Sequence, residues 1–156
     1  MGVITTTYAG DMSVSAPGDT TTLARRGWTS YALFAKLFVE RAEIGDDPSL
    51  AVRVLREVVR AARALDAQAE IDAFHAEPPT TGSDGWDALL AGVAVLTGAG
   101  RTTPGVLDWC DAPGRWCVEL FDPLDSGKYF LLEMLRTPAP IRERNVVLAA
   151  GNLLGV

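Results

Sequence analysis

Apolar residues recur at helical spacing along most of the chain, and that pattern predicts its elements. The stretch TTTLARRGWTSYALFAKLFVERAEI sets Leu23, Tyr31, Phe34, Phe38 and Val39 near a 3.6-residue period, which predicts a core-facing helix. Gly45, Asp46, Asp47 and Pro48 stop it. Asp47 is then placed to cap, and Pro48 to open, a second helix, PSLAVRVLREVVRAARAL, with Leu50, Val54, Leu55, Val58 and Ala62 inward. A third helix from Asp66, with Ile71 and Phe74 inward, either stands alone or continues the second as a kinked rod.

A Pro-Pro step and a short polar loop lead into EPPTTGSDGWDALLAGVA. Asp84 is the expected cap, with Asp87 in an acidic first turn. Trp86, Leu89, Leu90, Val93 and Leu96 form one apolar face, and Ala91 and Gly92 would let a neighbouring backbone come close. Gly98 and Gly100 end the helix. Thr103 and Pro104 predict a short helix over PGVLDWC, while RWCVELFDP reads as a brief strand or an extended link. SGKYFLLEMLR predicts a helix with Phe130, Leu131, Met134 and Leu135 inward. Thr137 and Pro138 start a last short helix that Asn145, in a left-handed conformation, would stop, and AAGNLL makes a final turn. Residues 1–19 lack apolar period and read as a flexible arm. The expectation is a compact all-α single domain over residues 20–156, with five to seven helices and at most a trace of short strand.

Composition agrees with a globular chain: 156 residues, 48% apolar and 22% charged. Its longest strongly apolar stretch, Ala88 to Leu96, is far short of the roughly 20 residues a membrane span needs. With no signal-peptide pattern at the start, a soluble cytoplasmic protein is expected.

Charge changes the picture more. Residues 1–65 are nearly neutral, with eight basic and seven acidic side chains. Residues 66–125 carry eleven acids against only Arg101 and Arg115. Such a segment repels nucleic acid and attracts a basic partner. The second helix, by contrast, lines Arg53, Arg56, Arg60 and Arg63 along one face, with Glu57 among them. That face is either solvated, paired with the acidic segment, or a contact for an acidic protein or for DNA.

Catalytic motifs are weak. TTGSDGWD has no lysine for a phosphate loop, and Asp84 with Asp87 would repel an anion at that helix start. GAGRTTPG follows a helix, so it fails as a dinucleotide loop. His75 is the single histidine and has no nucleophile tied to it. Cys110 and Cys117 are spaced wrongly for C-x-x-C chemistry and read as core thiols. Asp84 with Asp87, and Asp108 with Asp111, are better explained as helix-end charges than as metal or acid-base pairs. No enzyme, cofactor or metal is expected.

EPPTTGSDGWDALLAGVA resembles a block, EPPxTGDxxWDALLAGxAE, of actinobacterial antitoxin-like proteins encoded beside AbiE-type (MenT-like) nucleotidyltransferase toxins. RRGWTSYALFAKLFVE and TPAPIRERNVVL extend the likeness over most of residues 25–150. The resemblance implies an antitoxin that binds and neutralises a nucleotidyltransferase toxin, whose RNA groove would be basic. Contact is expected from Asp84, Asp87, Asp108 and Asp111, or from the arginine face. The alternative is a DNA-binding regulator that uses Arg53, Arg56, Arg60 and Arg63. Residues 1–22 are too short and polar for the helix-turn-helix that many such relatives carry.

Overall fold

The computed structural model describes residues 27–155. Among them the fold is all-α, with eight α-helices and three short 3-10 turns; an isolated parallel bridge between Phe121 and Val146 is its trace of strand. The expected arm, Leu23, Arg25 and Arg26 lie outside the described residues.

Helix α1, Tyr31–Glu40, is capped by Ser30, whose hydroxyl accepts from the Leu33 amide at 3.1 Å. Tyr31, Phe34, Ala35 and Phe38 make its buried stripe. Val39 lies one step past that stripe and is 60% exposed, so it does not join the core as expected. Arg41 adopts an extended conformation that breaks the helix, and α2, Ala42–Gly45, restarts it and buries Ile44.

Asp47 and Pro48 behave as their chemistry dictates: Asp47 accepts from the Leu50 amide at 3.1 Å, and α3 runs Pro48–Ala64. Its core stripe is Ala51, Val52, Leu55, Val58, Val59 and Ala62, with Leu50 and Val54 half-buried at the margin. Extended backbone at Leu65 and Ala67 separates α3 from α4, Gln68–Phe74, so these are two helices and not a kinked rod. Ile71 and Phe74 are inward, as expected. Arg101 ties the end of α3 to the end of the helix that carries Thr97. Its guanidinium donates to the carbonyls of Ala62 (3.2 Å), Leu65 (2.6 Å) and Thr97 (3.1 Å), near helix C-termini where carbonyls lack a full set of intrahelical partners.

Helix α5, Asp84–Gly98, is the centre of the molecule. Every residue from Gly85 to Ala94 is buried, so the helix has no solvent side there and is not the one-faced helix its leucines predict. At Gly92 a Cβ would come within 2.8 Å of the Pro140 carbonyl and 2.9 Å of the Ile141 Cα. A side chain is excluded because a neighbouring backbone crosses there, as the small residues imply.

After α5 the sequence is less literal. PGVLDWC forms turns and a 3-10 segment, Asp108–Asp111, where a helix is expected. Two causes are visible. The Thr103 amide and hydroxyl both donate to Asp72, so the hydroxyl does not cap (amide 2.9 Å), and Gly105 takes φ +97°, which no α-helix contains. A second 3-10 turn, Pro113–Arg115, follows. Next, Cys117 and Phe121 donate to the adjacent carbonyls of Arg144 and Asn145 (3.3 and 2.9 Å). Four residues of one segment thus match one step of the other, and residues 118–120 bow outward as a loop.

The 3-10 turn Gly127–Tyr129 opens α6, Phe130–Arg136, and α7, Ala139–Arg142, and α8, Ala150–Leu154, complete the chain. Asn145 is left-handed at φ +66°, as expected. One apolar cluster joins α1, α3, α4, α5 and the 146–153 segment, with Trp86 set between Phe38 (5.0 Å) and Phe121 (5.7 Å).

Candidate functional site

The corner before α5 is built around Asp87. Ser83, not Asp84, caps the helix, with its hydroxyl 3.4 Å from the Trp86 amide. Asp84 is the first helical residue and is exposed. One turn in, Asp87 is buried and accepts from the Thr81 amide (2.7 Å), the Thr81 hydroxyl (2.8 Å) and the Thr80 hydroxyl. Buried Arg115 lies 3.8 Å away, donates to the Pro78 carbonyl and stacks over the Trp109 ring at 4.9 Å. An anion seat of amide, hydroxyls and guanidinium does exist here, and the chain's own carboxylate fills it. Asp87 therefore makes no surface contact, contrary to expectation.

The other acidic candidates stay outside. Asp108 and Asp111 are exposed on one 3-10 turn, and Asp111 approaches Arg144 at 3.6 Å. Among the described residues no group of three His, Cys, Asp or Glu is placed to hold a metal ion.

On α3, Arg53, Arg60 and Arg63 are exposed, and Arg60 pairs with Glu57 at 3.3 Å. Arg56 differs, because its Nε donates to the Asn152 carbonyl at 2.9 Å and locks α3 to α8. Among the described residues none of these arginines pairs with the acidic segment. The stripe is a solvated face with one structural member.

His75 is fully buried. The Ile71 carbonyl at 2.8 Å can only accept, so Nδ1 carries the proton. Nε2 and the Tyr31 hydroxyl both lie within hydrogen-bond distance of the Thr97 hydroxyl (2.8 and 2.7 Å), which is also 3.1 Å from the Val93 carbonyl. Burial pulls the His75 pKa below its usual value and raises that of Tyr31. This is a neutral polar thread through the core. Burial likewise pushes the Cys110 thiol up to about 12. Cys117 is raised by burial and then by the carboxylates of Asp84 and Glu119. Both cysteines are free.

Two exposed apolar patches were not legible as such. In the outward loop Val118 is 96% and Leu120 52% exposed. The loop and the start of α5 bracket a hollow of about 450 Å³ that Asp84, Gly85, Glu119 and Phe121 also line. The loop's base is fixed by Asn145, which donates to the Val118 carbonyl at 2.9 Å, and by the Phe121 ring, which packs on Gly85 where a Cβ has no room.

The second patch is α6. Its inward residues are Phe130, Glu133 and Met134, followed by buried Thr137, at steps of three, one and three. Leu131 and Leu135, expected inside, are 62% and 66% exposed, beside Leu132 and Tyr129. The cause is Glu133, which accepts from the Ala149 amide (3.2 Å) and the Asn152 side chain (3.4 Å) at the start of α8. Thr137 accepts from the Leu148 amide at 2.9 Å. Two polar clasps turn the leucines outward, and exposed Lys128 and Arg136 stand at the two ends of the ridge.

No family model, no curated protein and no solved structure matches this chain. Among the described residues no helix is long and apolar enough to cross a membrane.

Proposed function

We propose that this chain is an antitoxin-type protein that binds and neutralises a nucleotidyltransferase toxin through protein–protein contact. The observation that carries the reading is the loop at residues 118–120. It sets the bare Val118 and the half-exposed Leu120 beside the exposed carboxylates of Asp84 and Glu119. Apolar side chains held in water beside a hollow mark a contact surface. Flanking carboxylates suit a groove lined with basic side chains, where they replace phosphates. Asp108 and Asp111, also exposed, add to the same acidic character. The likeness of EPPTTGSDGWDALLAGVA to the antitoxin block supplies the partner class. The exposed Arg53, Arg60 and Arg63 favour a second reading, a regulator that binds DNA.

The test is a tagged pull-down from the native host, followed by a tRNA nucleotide-transfer assay on any nucleotidyltransferase recovered. One equivalent of this chain should abolish transfer, and Asp84→Asn with Glu119→Gln should slow the inhibition, more so at low salt. Unimpaired transfer at excess protein overturns the reading. Salt-steep DNA binding that disappears when Arg53, Arg60 and Arg63 become alanine would establish the second instead.

A further inference from the structure

We infer that the chain pairs with a second copy of itself, the α6 ridge of each copy seating in the hollow beside the 118–120 loop of the other. The inference stands on the two patches and not on the toxin reading.

The two surfaces are opposites in shape and in charge. The α6 ridge is convex, with Leu131, Leu132 and Leu135 outward and Lys128 and Arg136 at its ends. Lys128 lies in the 3-10 turn that opens α6 and Arg136 is the last residue of α6, so a cation stands at each end of the ridge. Glu133, the one acid of α6, is turned inward and leaves no negative charge on that face. The hollow is concave, offers Val118 and Leu120, and carries the carboxylates of Asp84 and Glu119. Ridge against ridge would oppose cations, and hollow against hollow would oppose carboxylates. Only ridge in hollow satisfies both apolar and charged groups.

The two patches hang from one stretch of the chain. Both are anchored to consecutive residues of one buried segment. The Val147 amide donates to the Phe121 carbonyl (2.9 Å) at the loop's base, while Leu148 and Ala149 donate to Thr137 and Glu133 at α6. In a two-fold dimer each ridge would meet the partner's hollow, the self-complementary arrangement that closed dimers use. A dimer of this kind covers the loop assigned to the toxin, so dimerisation and toxin binding would exclude one another.

Sedimentation velocity on the full chain tests this without any toxin. A concentration-dependent dimer that weakens with salt is expected. Lys128→Glu with Arg136→Glu gives two acidic patches, and Asp84→Lys with Glu119→Lys gives two basic ones. Each variant alone should dimerise roughly tenfold more weakly or not at all. Mixed in equal amounts they should form a one-to-one heterodimer, because both contacts then become complementary. That rescue also shows that both variants fold. A wild-type chain that stays monomeric into the millimolar range, or variants that dimerise as wild type does, would overturn the inference, as would a mixture that fails to pair.

Discussion

Helix α5 buries every residue from Gly85 to Ala94, whereas α6 buries none of its seven, although WDALLAGVAVL and FLLEMLR are comparably apolar as sequences. Each helix also takes one carboxylate inward. In α5 the threonines of the preceding corner and Arg115 receive Asp87, and the helix is enclosed on all sides. In α6 the start of α8 receives Glu133, and the helix is rotated so that leucines face water. A short helix follows the partners of its inward carboxylate, because leaving those donors unpaired costs more than exposing a few apolar side chains.

The comparison can be broken from the α5 side with large effects. Asp87→Ala leaves the buried Arg115 guanidinium with only the exposed Glu77 carboxylate, 3.7 Å away, as counter-charge and strips two threonine hydroxyls of their carboxylate acceptor, and should cost about 3 kcal/mol in urea unfolding. A loss below about 1 kcal/mol would mean that the corner does not hold α5 in place. Leu89→Ala, at a fully buried position, should cost about 2–5 kcal/mol by the same measurement. Gly92→Ala forces a methyl group against the Pro140–Ile141 backbone and should cost about 1–3 kcal/mol. Unchanged stability would show that α7 can move away.

A smaller effect comes from His75. Burial lowers its folded pKa below the usual 6.5, so the fold favours the neutral ring. The associated stability is complete above about 6.5 and is lost as pH falls through that value toward the folded pKa. Melting temperature should therefore decline from pH 7 toward pH 5, and His75→Gln should flatten that decline. An identical slope in the variant would place the titrating group elsewhere. The smallest effect sharpens the comparison from the other side: Leu135→Ala should shift stability by no more than about 0.5 kcal/mol. A cost like that of Leu89→Ala would show that α6 is covered within the monomer.

How far the sequence could be read depended on the range of the forces. The Asp47 cap, the inward Ile71 and Phe74 and the left-handed Asn145 follow from neighbours within a turn or two or from backbone sterics. Each is visible in a short window. The burial of Asp87 also depends on Arg115, and the rotation of α6 depends on Ala149, 16 residues beyond Glu133. No local periodicity reports such a partner, so hydrophobicity alone sends the α6 leucines inside. The candidate acids were readable as charges but not as places: Asp84, Asp108 and Asp111 lie at the surface and Asp87 does not. Val118, Glu119 and Leu120 escaped notice because their exposure comes from a mismatch in segment length against residues 144 and 145.

The outward leucines of α6 have a further consequence for how this protein can change over generations. A residue that supports the core is held to a narrow choice by the threshold below which the fold fails. Leu131, Leu132 and Leu135 carry almost none of that obligation, since Glu133 and Thr137 hold the helix without them. Selection can therefore rewrite this ridge one residue at a time, exchanging one partner for another, while the scaffold beneath keeps its shape.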